Sequence, residues 1–311
     1  MTVNSRVYLI ANTRSGKGLG EDIPVLAQKI CDELGCQLVT YSPTDAEQFK
    51  KQIQVAVNHA AQDGGVVLAA GGDGTIRAVA EAAALADVRF GAIAIGTFNF
   101  FARTHKLSEE PEQAIRDALT GDVKAVRLGE INGHIFLINA SVGLYAKSIA
   151  EREQNTKRFG RNRLVATLST LKSMLSPQRI LHAKFESGAG VVQGGETLTV
   201  ERKTPMIFIG NNYLQLNNLN FDVAACMKKD MLAVVLFKPV TRSSVLRILF
   251  HGITGNINSD KDVESFCMRS MTIHTKRKSH DVALDGELFH MEAPLEVKSL
   301  PKALQLVVPR I

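Results

Sequence analysis

The stretch Gly71-Gly72-Asp73-Gly74-Thr75 sets a single carboxylate among glycines, directly after the apolar run Val66–Ala70. A run of that length and character reads as a buried strand, and Ile76, Val79, Ala80 and Ala83 then recur with the spacing of one helix face. A glycine turn between a strand end and a helix start offers bare backbone N–H groups to an anion, and the helix dipole favours negative charge there. Asp73 alone would repel a phosphate. A divalent cation between the two relieves that repulsion, so the stretch predicts a nucleotide-phosphate site that works with a metal ion. Two more loops of the same kind follow strand-like runs: Asn12–Gly18 after Val7–Ala11, and Gly96-Thr97 after Phe90–Ile95. Far downstream, Asp285-Gly286-Glu287 places two further carboxylates around a dipeptide that by itself reads as a hairpin turn.

Common alternatives fail on spacing. Lys17 is followed by Gly18 rather than Ser or Thr, so Asn12–Gly18 is not a P-loop. No loop after a strand spells Gly-x-Gly-x-x-Gly, no zinc-ligand spacing occurs among the histidines, and no Gly-x-Ser-x-Gly elbow is present.

These residues need elements to hold them. From residue 7 to about 128 the patterns alternate strand and helix: Val7–Ala11, a helix with Ile23, Leu26, Ala27, Ile30 and Leu34 inward, and Gln37–Thr40. A helix led by Thr44-Asp45 follows, with Phe49, Ile53, Ala56, Val57 and Ala60 inward, and then the runs around Asp73 and Gly96. Such alternation predicts a parallel sheet covered on both faces, with its ligand loops at the carboxyl edge. After residue 128 strands dominate: Ile135–Ser141, Ile180–Glu186, Thr197–Arg202, Met206–Gly210, Leu232–Phe237 and Met271–Thr275. Helical patterns break in at Asn162–Leu175 and Ser243–Ile253. The predicted class is α/β plus β: a nucleotide-binding domain over residues 1–128, then an antiparallel, sandwich-like domain over 129–295. The run Ala303–Val308 is a strand of either one.

The chain has 311 residues, 45% of them hydrophobic, and no apolar run approaching the roughly 20 residues of a membrane span. It opens without signal-peptide architecture, and Cys31, Cys36, Cys226 and Cys267 lack disulfide or metal spacing. Four reduced thiols and a cytoplasmic location are the expectation. A net charge of +6 and a pI near 9.1 point to a polyanionic partner. The basic cluster Arg152, Lys157, Arg158, Arg161 and Arg163 has no interleaved aromatics. That disfavours nucleic acid and leaves a solvated face or an anionic membrane surface.

Together these motifs resemble the diacylglycerol kinase catalytic domain, most closely the bacterial soluble lipid kinases. Gly71-Gly72-Asp73-Gly74-Thr75 matches a signature that this family shares with sphingosine and NAD kinases. Ala94-Ile95-Gly96-Thr97-Phe98-Asn99-Phe100-Phe101-Ala102-Arg103 is similar to its Pro-Leu-Gly-Thr-Gly-Asn-Asp-Phe-Ala-Arg, and Asn12-Thr13-Arg14-Ser15-Gly16 to its Asn-Pro-x-Ser-Gly. The resemblance implies an ATP- and Mg2+-dependent kinase acting on a membrane lipid, with residues 296–311 returning to the first domain. It puts ATP against Asn12, Ser15, Gly16, Thr40, Gly71–Thr75, Gly96 and Thr97. Asp73 would act on Mg-ATP through the metal, and Asp285 or Glu287 would serve as base for the acceptor hydroxyl. A structural Mg2+ in relatives falls here on Asp230, with the Met227 and Leu232 carbonyls; Met231 replaces the family's Gly. Phe98 and Phe100 replace a Gly and an Asp, so the acceptor side is altered. A soluble-acceptor kinase resembling NAD kinases, or a binding module without catalysis, are the alternatives. A homodimer is compatible with the family.

Overall fold

The structure, a computed structural model, describes residues 6–12, 19–143, 180–187, 199–218, 226, 229–237 and 263–310. Two compact units are present: Met1–Leu128 with Leu300–Ile311, and Gly129–Ser299.

The first unit alternates as its sequence dictates: β1 (Arg6–Ala11), α1 (Leu19–Leu34), β2 (Gln37–Tyr41), α2 (Ala46–Asp63), β3 (Val66–Gly71), α3 (Asp73–Leu85), β4 (Arg89–Ala94), α4 (Phe100–Thr104) and α5 (Pro111–Thr120). The strands pair in parallel in the order β2-β1-β3-β4. Every residue of β3 is buried, which is why it carries no polar side chain. Ile23, Ala27 and Ile30 of α1 and Ala114, Ile115 and Ala118 of α5 pack with Leu9, Leu68 and Ile93 on one face of the sheet. The expected inward positions of α2 and α3 are buried, apart from a half-buried Phe49. Asp45 caps α2, its carboxylate accepting the backbone N–H groups of Glu47 and Gln48 at 3.0 and 2.9 Å.

The second unit is a sandwich. Strand β5 (Asp122–Ile131) enters it and pairs with β6 (His134–Phe136). The strands β7 (Asn139–Gly143), β10 (Met206–Gly210), β11 (Leu232–Phe237), β12 (Val263–Met268), β14 (Ser279–Leu284) and β15 (Glu287–Glu292) form one sheet, in the order β12-β11-β10-β7-β14-β15. A second, antiparallel layer holds β8 (Leu181–Ser187), β9 (Thr199–Thr204) and β13 (Ser270–Thr275). Ala140, Val142, Ile207, Val234 and Leu284 meet Phe185, Ile273, Leu295 and Val297 in the core between the layers. The short helix α6 (Tyr213–Asn218) follows β10. The long strand β16 (Leu295–Val308) pairs with β13 through its first residues and with β4 through Leu306.

Several expectations change. The single strand expected at Ile135–Ser141 is two, β6 and β7, because the backbone N–H groups of Leu137, Ile138 and Asn139 turn to a side chain instead of a ladder. Strands β5, β12, β14 and β15 are additions. The helical patterns at Asn162–Leu175 and Ser243–Ile253, and the basic cluster from Arg152 to Arg163, lie outside the described residues.

The four-thiol expectation is also corrected. Cys226 and Cys267 form a disulfide, while Cys31 and Cys36 are free. The two partners are 41 residues apart, and only the placement of Cys267 on β12 opposite Ala233 brings them together, so no local spacing could announce the pair. The thiol-based argument for a reducing compartment therefore falls. Closing a 41-residue loop restricts the unfolded chain enough to stabilise by about 4 kcal/mol. Cys267→Ser is expected to lower the midpoint of thermal unfolding, and reductant to lower the wild type but not the variant. Among the described residues no helix is long and apolar enough to cross a membrane.

Candidate active site

In the first unit, the turns after β1, β3 and β4 converge. Asn12, just past β1, donates its backbone N–H to the Ala70 carbonyl at 2.9 Å and its side-chain amide to Thr75 Oγ1 at 3.1 Å. Thr75 thus ties the first loop to the start of α3. Its side chain also explains Gly71: a Cβ there would stand 2.6 Å from Thr75 Cβ. The loops after β3 and β4 touch through backbone, since a Cβ on Gly96 would come within 2.9 Å of both the Gly72 Cα and Asn99 Oδ1. If these turns hold a nucleotide, Gly96→Ala is expected to push them apart and weaken its binding about tenfold or more, with the fold retained, as titration with ATP and a thermal melt will measure.

Asp73 is the first residue of α3 and is half-buried. Burial raises its carboxyl above the ordinary carboxylate range. The nearby backbone N–H groups of Asn99, Phe101 and Phe100 and the Arg103 guanidinium act against that rise. Its Oδ1 is buried without a hydrogen-bond partner. A buried carboxylate oxygen without a protein donor, at the first turn of a helix, has the chemistry to take a divalent cation, so the residue fits one. Asn99 takes a left-handed backbone (φ 51°) and donates Nδ2 to the Ala94 carbonyl at 3.3 Å, which fixes the turn that faces Asp73. Thr40 is exposed near the end of β2, one strand over from β1. Thr97 is exposed, and Ser15 and Gly16 lie outside the described residues.

In the second unit, Asp285 and Gly286 both have positive φ (49° and 91°) and form the two-residue turn between β14 and β15. The hairpin reading was right as far as it went. Beyond it, the Asp285 carboxylate accepts three backbone N–H groups: Oδ2 from Leu137 at 2.7 Å, and Oδ1 from Ile138 at 2.8 Å and Asn139 at 2.9 Å. Its own N–H returns to the Asn139 carbonyl at 2.9 Å. The same segment is held on its carbonyl side by Asn211, whose N–H meets the Ile138 carbonyl at 2.8 Å and whose Nδ2 meets the Leu137 carbonyl at 3.0 Å. Asn139 Nδ2 donates to Gln215 Oε1 at 3.1 Å on α6. Asn139, Asn211 and Gln215 escaped the sequence reading; the Asn211-Asn212 pair directly after an apolar strand was the available signal. Glu287 is exposed at the first position of β15.

Asp230 sits in a left-handed turn (φ 54°) before β11, its carbonyl accepting the Ser299 hydroxyl at 2.9 Å. Leu232 opens β11, and Met227 lies outside the described residues. Among the described residues no group of three or more His, Cys, Asp or Glu side chains is placed to hold a metal ion.

Residues 6–131 match the sequence profile of the diacylglycerol kinase catalytic domain. A protein of Staphylococcus aureus (strain Newman) named "Putative lipid kinase" is 23% identical over 295 residues, 94% of this chain and 91% of the relative. A solved structure titled as a diacylglycerol kinase from Bacillus anthracis str. Sterne superposes with a TM-score of 0.70 at 17% identity. It covers 99% of this chain and 98% of the other, which shows a shared fold. The glycine turns and Asp73 thus lie within residues 6–131, the stretch of this chain that is similar to the diacylglycerol kinase catalytic domain.

Proposed function

We propose that this protein is an ATP-dependent lipid kinase that transfers the γ-phosphoryl group of Mg-ATP to a hydroxyl of diacylglycerol or a related lipid. The observation that carries the reading is Asp73, a half-buried carboxylate with an orphaned oxygen where two glycine turns meet. A bound Mg2+ would be held through Asp73 and would neutralise charge on the phosphates. The chain's own part is positioning. The N–H groups at the start of α3, with Gly96 and Thr97, form the cradle for the phosphates, and Asn12 and Thr40 flank the nucleotide.

The two downstream carboxylates take different roles. Both oxygens of Asp285 already accept backbone N–H groups, and those donors hold its charge in place. It serves as a positioning residue. Glu287, exposed beside it, is assigned the acceptor's proton as the new P–O bond forms. Asp230 is retained as a candidate structural metal ligand. Work at an anionic membrane surface completes the reading.

The test is incubation of the protein with Mg-ATP and a total lipid extract, followed by mass spectrometry. A lipid that gains one phosphate, and fails to gain it without Mg2+, supports the reading. ATP binding with no phosphorylated lipid, or phosphorylation of NAD in the absence of lipid, overturns it.

A further inference from the structure

The second unit carries an open cavity of about 490 Å³ on its β8, β9 and β13 layer. Leu181, Ala183, Phe185, Met271 and Ile273 of that layer face the core. Alternation along the strands therefore sends His182, Lys184, Glu186 and His274 to the outer face, and the strand register sets these residues in rows. In one row His274 stands opposite Lys184, which stands opposite Glu201. Glu186 takes the Lys184 ammonium at 2.6 Å and the His274 ring at 3.1 Å, so carboxylates answer the cations there.

The next row differs. His182 stands directly opposite Lys203. Lys276 follows Thr275, whose partner is Ala183, and so comes level with His182 from the other side. All three line the cavity and are exposed, and among the described residues their side chains make no hydrogen bond or ion pair. Arg202, also in the lining, is committed to Glu264 at 2.7 and 2.9 Å. Like charges directly opposite one another on neighbouring strands are destabilising. A merely solvated face would mix signs in both rows, as it does around Glu186. Here the row inside the cavity has two ammonium groups flanking an imidazole and no carboxylate of its own.

That donor set specifies a ligand. Two lysine ammoniums and an imidazole N–H supply positive charge and hydrogen-bond donors to a compact anion. No phenyl, phenol or indole ring is among the described residues of the lining, so a base has nothing to stack on. A phosphomonoester carries a charge of about −1.5 to −2 at pH 7 and three strong acceptor oxygens, which matches three donors better than a singly charged diester does. The cavity is larger than one phosphate group and leaves room for a small body esterified to it. We propose that His182, Lys203 and Lys276 form a phosphomonoester-binding site in the second unit. Two sources carry this group: a soluble phosphorylated small molecule, and the headgroup of a monoester phospholipid. The site shares no residue with the kinase reading, so the two stand or fall separately.

The experiment is calorimetric titration of the full chain without nucleotide, at roughly 0.15 M salt so that diffuse surface attraction is screened. The probes are glycerol 3-phosphate and phosphatidylcholine vesicles that contain either phosphatidic acid or phosphatidylglycerol. Lys203→Gln combined with Lys276→Gln is expected to weaken binding tenfold or more. The same variant should unfold, without ligand, at the wild-type temperature or above it, because a like-charge opposition is relieved. Glycerol 3-phosphate binding that the variant loses supports the site and gives it a soluble ligand. Binding confined to phosphatidic acid vesicles, and lost in the variant, supports it and gives it a headgroup. Equal binding of every probe by wild type and variant overturns the site, as does a wild type that binds no probe. A wild type that takes phosphatidylglycerol vesicles as readily as phosphatidic acid ones overturns the choice of a phosphomonoester.

Discussion

Asp73→Asn is expected to lower lipid phosphorylation by at least ~10²-fold while raising the temperature of unfolding at neutral pH. On the proposed reading, the loss follows from removing a charge that would face the metal and phosphates, where preorganised electrostatic groups act most strongly. The gain in stability follows from linkage. Burial raises the Asp73 carboxyl above its unfolded value, so the folded chain holds this proton to higher pH than the unfolded chain does. Stability from this group is complete below the ordinary carboxylate value and declines as pH rises through the raised one. The amide has no charge to desolvate and escapes that decline. The variant's advantage should therefore vanish in acid and be present at pH 7, which melting curves at several pH values will measure. A variant that transfers phosphate at the wild-type rate would remove Asp73 from the site.

The second large effect belongs to Asp285. Asp285→Ala leaves three backbone N–H groups without their acceptor and puts alanine into a left-handed turn. Unsatisfied donors and a strained φ together are expected to destabilise by about 3–5 kcal/mol. Asp285→Asn keeps one oxygen and tolerates the turn, so about 1–2 kcal/mol is expected. Glu287→Gln, at an exposed strand start, should shift denaturation far less than Asp285→Ala and, on the proposed reading, reduce turnover with little change in the Michaelis constant for the lipid. Chemical denaturation separates the two carboxylates. If Asp285→Ala unfolds at the wild-type denaturant concentration, the positioning role is wrong.

Much of the first unit was legible from sequence: α2 and α3 carry clean 3.6-residue patterns, Asp45 caps α2 from the predicted position, and β3 is apolar throughout because it is buried on both faces. Leu34, expected inward on α1, is 40% exposed, and α5 was not read. The second unit was legible in kind and less so in detail. Strands such as β12 and β15 carry mixed, partly exposed residues, so period 2 is blurred. The disulfide depends on a pairing 41 residues long. The break between β6 and β7 was invisible for another reason: Ile135–Ser141 is one apolar run, and what interrupts it is a carboxylate some 147 positions away in sequence. Asp73 and the glycines were readable because close backbone approach leaves a compositional trace. Asn211 was not, because its partners are main-chain groups of another strand.

That last contact pattern has a consequence for how the protein can change over time. Leu137 and Ile138 are gripped through their amides and carbonyls, by Asp285 from one direction and Asn211 from the other. A grip on main-chain atoms is blind to side-chain identity at residues 137 and 138. Those two positions are therefore free to drift among apolar residues as the core around them repacks, and only proline, which carries no N–H, is barred from them. The carboxylate and the amide are the fixed points, and the strand they hold is the part that can be rewritten.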